Sequence, residues 1–324
     1  MTIPKKKLQI VFFGTPEFAA SQLNAIVKDG HNVLAVITAP DKPAGRGKKL
    51  QQSAVKELAK NLNLNILQPT NLKDSGFIKK LTQLDADVFV VVAFRMLPKI
   101  VWKLPPKGTF NLHASLLPDY RGAAPINHAI MNGETVTGLT TFFINEKIDE
   151  GQIILQKRLE IGHTENAGSL HDRMMVVGNS LINETLRLIA EDQLQLRVQG
   201  ETEKDKAAPK IFKPDCSIRW QLPINMVYNQ IRGLSPYPAA YTDLISEDEK
   251  ELRLKVFESE IEQTKPEESP LSLLTDNKTY LKVALTDGYL KLLKIQLPGK
   301  KSLATQELLK GHKFDGNWKV VVDL

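Results

Sequence analysis

The stretch Lys7-Leu8-Gln9-Ile10-Val11-Phe12-Phe13-Gly14-Thr15-Pro16 decides the fold of the first half of this chain. Residues 7–13 read as a buried-type strand, and Gly14-Thr15-Pro16 breaks it. A helical period follows through Phe18, Leu23, Ile26 and Val27 to about Gly30, and then Asn32-Val33-Leu34-Ala35-Val36-Ile37-Thr38 is a second apolar strand. Working outward, helical patterns at 53–62 and 74–84 alternate with strands at 65–67 and 88–93, and further strands come at 109–113, 139–144 and 152–156. A long helix carrying Leu170, Met174, Val177, Leu181 and Leu188 on one stripe closes this half. Continuous apolar strands between helices predict an α/β fold with a doubly wound, mostly parallel sheet covered on both faces. Ligands of such sheets sit beyond the carboxyl ends of the strands.

The 324 residues exceed what one hydrophobic core usually serves, so two domains are expected. A polar stretch at 192–208 predicts a linker between an N-terminal domain at 1–191 and a C-terminal domain at 209–324. Beyond it, one short helix has Pro223 at its start and Gly233 just after its end. Alternating strands follow at 252–257, 280–285 and 289–295, the last two joined by the hairpin signal Thr286-Asp287-Gly288. Short antiparallel strands in about a hundred residues suggest a small barrel or sandwich, for which we take an OB-like β-barrel as the expectation.

Composition excludes more than it selects. Hydrophobic content of 42% and charged content of 25% fit an ordinary soluble protein. A single cysteine, Cys216, excludes an internal disulfide framework and suits a reducing cytosol. The apolar run after Lys5-Lys6-Lys7 is too short for an export signal, and no segment approaches a membrane span. A net charge of +6 permits a polyanionic partner without requiring one. The Gly14 turn lacks a G-x-G-x-x-G, and Gly45-Arg46-Gly47-Lys48-Lys49 is no P-loop because Lys42 stands where the first glycine would fall. The six histidines include no H-E-x-x-H, so neither a dinucleotide nor a metal is expected.

The chemistry then rests on organic side chains. Asn111 and His113 lie two apart in the strand at 109–113, so both point to one face. Asp149 follows in Ile148-Asp149-Glu150-Gly151, where Gly151 allows a tight turn. If an amine attacks an acyl carbon, an oxyanion develops, and an amide together with an imidazole could stabilise it. A carboxylate beside His113 would fix its tautomer and stabilise imidazolium. Taken alone, an Asn-x-His pair is more often a hydrogen-bonded strand end than a functional pair.

Asn111-Leu112-His113-Ala114-Ser115-Leu116-Leu117-Pro118, then Tyr120-Arg121-Gly122-Ala123-Ala124-Pro125, then Asp149-Glu150-Gly151 resembles the folate-dependent formyltransferase family in order and spacing. Val11-Phe12-Phe13-Gly14-Thr15-Pro16-Glu17-Phe18, the stretch from Pro40 to Lys48, Pro209-Lys210-Ile211 and Ile231-Arg232-Gly233-Leu234-Ser235-Pro236-Tyr237-Pro238 are similar to the branch acting on methionyl-tRNA. The resemblance spans nearly the whole chain.

It implies 10-formyltetrahydrofolate as donor and the methionine amine of charged initiator tRNA as acceptor, with no metal and no membrane, in a cytoplasmic monomer. Asn111 would polarise the formyl oxygen, and His113 would stabilise the oxyanion and pass protons. Asp149 would hold His113 and order a relaying water. The folate would lie along Ser115, Leu116, Leu117 and Pro118 and against Phe94, Arg95, Met96 and Leu97. Related enzymes often carry Tyr-Gly where this chain has Phe94-Arg95, which leaves open whether Arg95 crowds or re-anchors the folate tail. The resemblance also puts Lys42, Arg46, Lys48 and Lys49 against the tRNA acceptor stem, and Lys210 and Arg232 on a phosphate-tracking surface. Lys282, Lys291 and Lys294 could extend that surface, or could simply alternate on a half-exposed sheet. Two other readings are a formyltransferase for a small amine and a catalytically dead RNA- or folate-binding module.

Overall fold

In a computed structural model, the structure describes residues 7–44, 49–202 and 206–322. The first strands and helices are β1 (Gln9–Gly14), α1 (Glu17–Lys28), β2 (Asn32–Ile37), β3 (Lys42–Ala44), β4 (Lys49–Gln51), α2 (Ala54–Asn61), β5 (Ile66–Leu67), α3 (Ser75–Gln83), β6 (Val88–Val92) and α4 (Lys99–Trp102). They are followed by β7 (Thr109–His113), α5 (Pro125–Met131), β8 (Val136–Phe143), β9 (Ile153–Glu160) and α6 (Ala167–Ala190). The remainder comprises α7 (Ile224–Leu234), β10 (Ala240–Ser246), β11 (Glu251–Glu262), β12 (Ser272–Thr275), β13 (Leu281–Ala284), β14 (Tyr289–Gln296), β15 (Leu303–Ala304), α8 (Thr305–Gly311) and β16 (Trp318–Val321).

The chain forms two compact units that interleave in sequence. One contains 1–122, 137–160 and 171–207; the other contains 123–136, 161–170 and 208–324. The expected boundaries ran in simple sequence order, whereas two short segments of the first half cluster with the C-terminal residues.

The first unit holds a seven-stranded sheet in the order β5-β2-β1-β6-β7-β8-β9. The pairs from β5 to β7 are parallel and β7 with β8 is antiparallel, so the α/β expectation holds. β6 is buried at every residue and β1 at all but Gln9, as their continuous apolar runs require. α1 turns Phe18, Ala19, Gln22, Leu23 and Ile26 inward at helical spacing. Ser53 and Asp74 cap α2 and α3 by accepting from the amides three residues on, each worth about 1 kcal/mol. In the polar Gly-rich stretch at 41–50, Lys42 pairs with Gln51 and Pro43 with Leu50 as two short antiparallel strands.

In the second unit, β11-β10-β16-β12-β13-β14 closes through a β11–β14 pairing into an antiparallel barrel. Val256, Val283, Leu290, Leu292 and Ile295 fill it together with Ile224, Val227 and Ile231 of α7. β13 and β14 form the expected hairpin, and Asp287 of its turn also accepts from the Ile224 amide at 3.0 Å, capping α7. α7 runs one residue past Gly233 rather than stopping before it. A Cβ on Gly233 would lie 2.5 Å from the Met131 side chain, so this glycine serves the close approach of α5 rather than a helix stop.

Candidate active site

The site is built on the edge where β6 and β7 end together. Val92 pairs with Leu112, so residues 93–97 and 113–118 leave the sheet side by side. Ala93 has φ +45°, a left-handed turn that redirects the chain there. On β7, His113 is 6% exposed; its Nε2 lies 2.9 Å from the Tyr120 carbonyl oxygen. A carbonyl can only accept, so Nε2 carries the hydrogen and Nδ1 holds the lone pair.

Asp149 approaches that second nitrogen. Its Oδ2 is 3.9 Å from His113 Nδ1, within charge-pairing range but longer than a hydrogen bond. The same oxygen accepts from the Gly122 amide at 3.1 Å. Asp149 itself occupies the left-handed region at φ +53°. Gly151, expected as a turn glycine, is instead needed for space: a Cβ there would sit 1.5 Å from the Phe143 carbonyl oxygen. Asn111, two residues before His113 on the same face, has a buried Oδ1 with no hydrogen-bond partner among the described residues. A buried amide oxygen without a partner costs about 1–3 kcal/mol, and only a donor, such as the N–H of a bound amine, could satisfy it.

The loop after β7 is tied from several sides. Ser115 Oγ donates to the Asp119 carbonyl, and the Ser115 carbonyl accepts from Thr140 Oγ. The Leu117 amide donates to Thr140, and Gln156 Nε2 donates to the Leu117 carbonyl at 2.8 Å. None of Tyr120, Gly122, Thr140 or Gln156 stood out as a supporting group in the sequence. Tyr120 and Gly122 act through backbone atoms, which residue types do not reveal. Thr140 faces His113 only through the antiparallel β7–β8 register.

With this geometry in view, similarity to known proteins is decisive. The formyl transferase family matches residues 6–186, and the formyl transferase C-terminal domain matches 210–313. The chain is 49% identical to a methionyl-tRNA formyltransferase of Bacteroides thetaiotaomicron over 322 residues, 98% of this chain and 99% of that protein. It is 50% identical to a methionyl-tRNA formyltransferase of Flavobacterium johnsoniae over 316 residues, 97% and 99% of the two. The chain belongs to the formyl transferase family. Its fold is also that of an N-formyltransferase from Helicobacter canadensis in complex with folinic acid and dTDP-3-aminofucose, with a TM-score of 0.65 at 19% identity, covering 91% of this chain and all of that one.

For a formyl transferase, the segment 94–97 is the second wall of interest. Phe94 packs edge-on against Phe13 with ring centroids 5.7 Å apart, Leu97 is buried and Met96 is exposed. The Arg95 guanidinium donates to the Thr70 carbonyl at 2.9 Å and to the Pro69 carbonyl. Its guanidinium carbon lies 5.6 Å from the centroid of the Phe94 ring, so the side chain covers that ring with donors committed to backbone carbonyls.

The residues expected at tRNA divide. Arg46 and Lys48 lie outside the described residues, as does the side chain of Lys49. Lys42 is exposed on β3, and Lys210 is exposed with its ammonium 5.2 Å over the Phe212 ring. Arg232 is not on an open surface. It is 8% exposed and donates to Asn229 Oδ1 and to the Glu165 carbonyl, beside a cleft of about 800 Å³. Burial pulls its pKa below the ordinary arginine value, with Tyr228 and Glu165 pulling the other way. The barrel lysines are paired: Lys282 and Lys291 with Glu262, Lys291 also with Glu260, and Lys294 with Glu258. Among the described residues, no helix is long and apolar enough to cross a membrane.

Proposed function

We infer that this formyl transferase moves the formyl group of 10-formyltetrahydrofolate onto the free amino group of methionine on charged initiator tRNA, giving formyl-Met-tRNA for translation initiation. The observation that carries the reading is a buried imidazole held between the Tyr120 carbonyl and the Asp149 carboxylate, two residues from Asn111, whose amide oxygen has no partner among the described residues. Near-complete alignment with methionyl-tRNA formyltransferases supports the acceptor.

The folate supplies the activated formyl group. The walls at 94–97 and 115–118 suit it, with the buried Leu97 and Leu117 next to the strand end that carries Asn111 and His113. Asn111 donates to the oxygen of the group being transferred, where removal of one such donor typically costs about 100–1,000-fold in rate. With Nε2–H committed to Tyr120, His113 takes at Nδ1 the proton that the attacking amine loses and passes it to N10 of the folate, which leaves as tetrahydrofolate. The resulting imidazolium lies 3.9 Å from Asp149 and is stabilised there. Lys42, Arg46, Lys48, Lys49 and Lys210 supply cations for the tRNA backbone. The enzyme acts as a monomer in the cytoplasm, where charged tRNA is used.

The test is formyl transfer from 10-formyltetrahydrofolate to charged initiator tRNA against charged elongator tRNA. Transfer confined largely to the initiator supports the reading. Equal transfer to a small amine with Arg46→Ala and Lys48→Ala both silent overturns it.

A further inference from the structure

Arg197, Gln199 and Lys206 belong to the polar stretch expected to be a linker, yet they lace together both loops that carry the site. The Arg197 and Ile153 backbones exchange two hydrogen bonds, at 2.8 and 3.0 Å, and the Lys206 carbonyl accepts from the Tyr120 amide at 2.6 Å. Between them, Gln199 Nε2 donates to the Asp149 carbonyl at 2.9 Å and to the Gly151 carbonyl at 2.7 Å. Its Oε1 accepts from Arg121 Nε at 3.1 Å and from a terminal guanidinium nitrogen at 2.7 Å.

We propose that Gln199 is a positioning residue for formyl transfer, clamping the Asp149–Gly151 turn so that the carboxylate meets His113. The proposal rests on the reaction assigned above. Arg121 offers only donors, so the Gln199 oxygen must face it and the amide nitrogen must face the turn. One NH2 group, with two hydrogens, then satisfies two carbonyls two residues apart, the first of them on Asp149, which is held at φ +53°. The ring closes through Gly122, next in sequence to Arg121, whose amide donates to the Asp149 carboxylate. Backbone and side chain of Asp149 are thus fixed from the same side. Arg121 also lies 3.6 Å from Glu150, within the turn itself.

Two variants separate the parts. Gln199→Leu removes the whole amide, and Gln199→Glu keeps an acceptor for Arg121 while losing both donors to the turn. Both are expected to lower kcat about 10–100-fold, the cost of a misplacement near 1 Å, with KM for folate and tRNA little changed. Placed on Asp149→Ala, Gln199→Leu is expected to cost nothing further, because it acts through Asp149. Hydrogen exchange in the peptide 144–152 should speed up in both variants while the rest of the sheet keeps its protection. Wild-type kcat in Gln199→Glu, full additivity on Asp149→Ala, or unchanged exchange in 144–152 would each overturn the proposal. Failure of the wild-type protein to transfer formyl would instead overturn the reaction, and the exchange measurement would still judge the clamp.

Discussion

Carboxylates are treated in opposite ways at the Asp149 turn and along β11. On β11, Glu258, Glu260 and Glu262 each meet a lysine of the neighbouring strands, so the charges cancel in a ladder along the barrel wall. At the turn, Asp149 has a backbone amide and an imidazole nearby but stops 3.9 Å from the ring nitrogen, and the amide oxygen of Asn111, two residues before His113, has no partner among the described residues. One arrangement is complete without a ligand; the other has bonding capacity left for one. Unpartnered buried atoms also occur at Gln22, Thr137, Asn183 and His312, so the proposed site is distinguished by the imidazole and carboxylate that stand with its orphan rather than by the orphan alone.

The contrast can be broken most sharply at the site. His113→Ala should lower kcat/KM by about 100–10,000-fold, the range for a positioned proton-transfer group, measured as formyl transfer to charged tRNA. Asn111→Ala should cost about 100–1,000-fold, mainly in kcat. A loss confined to KM would mean that Asn111 only helps binding. Next comes Gly151→Ala. Its new Cβ cannot coexist with the Phe143 carbonyl, so the turn must shift, destabilising the fold by about 1–3 kcal/mol and lowering kcat. Wild-type kcat with an unchanged melting temperature would refute the close-approach account.

Arg232→Ala should act on stability, by about 1–3 kcal/mol for the buried acceptors it strands, and leave the salt dependence of tRNA binding unaltered. A shallower salt slope in that variant would return Arg232 to the RNA surface. The smallest effects belong to the β11 ladder. Hydrogen bonds and charge from Lys282, then Lys291, hold the Glu262 pKa below its ordinary 4.5. The unfolded chain therefore binds a proton more readily, so this contribution is present above pH 4.5 and is lost as pH falls further. Glu262→Gln should flatten that acid limb of the stability curve while leaving formyl transfer intact.

The same contrast explains what the sequence made legible. The sheet could be read because its strands are continuous apolar runs, and Asn111 with His113 because period-2 geometry is local. Asp149 came through the family spacing, but not its reach to Gly122 or the space Gly151 must leave for Phe143. Arg232 misled because a helix-borne arginine beside Gly233 looks the same whether it turns outward or toward the Glu165 carbonyl 67 residues away. The lysines of β13 and β14 could not be paired with β11 without the register, which two irregularities shift. Residues 192–208 read as a linker because their composition is polar, and polar residues here make hydrogen bonds rather than core.

The central claim is that His113 and Asp149 work as one unit on the transferred group. The direct test is the double-mutant cycle of His113→Ala and Asp149→Ala in kcat/KM for formyl transfer to initiator tRNA. The structure predicts that each single variant loses nearly as much as the pair together. Losses that multiply in the double variant would show two independent groups and contradict the account.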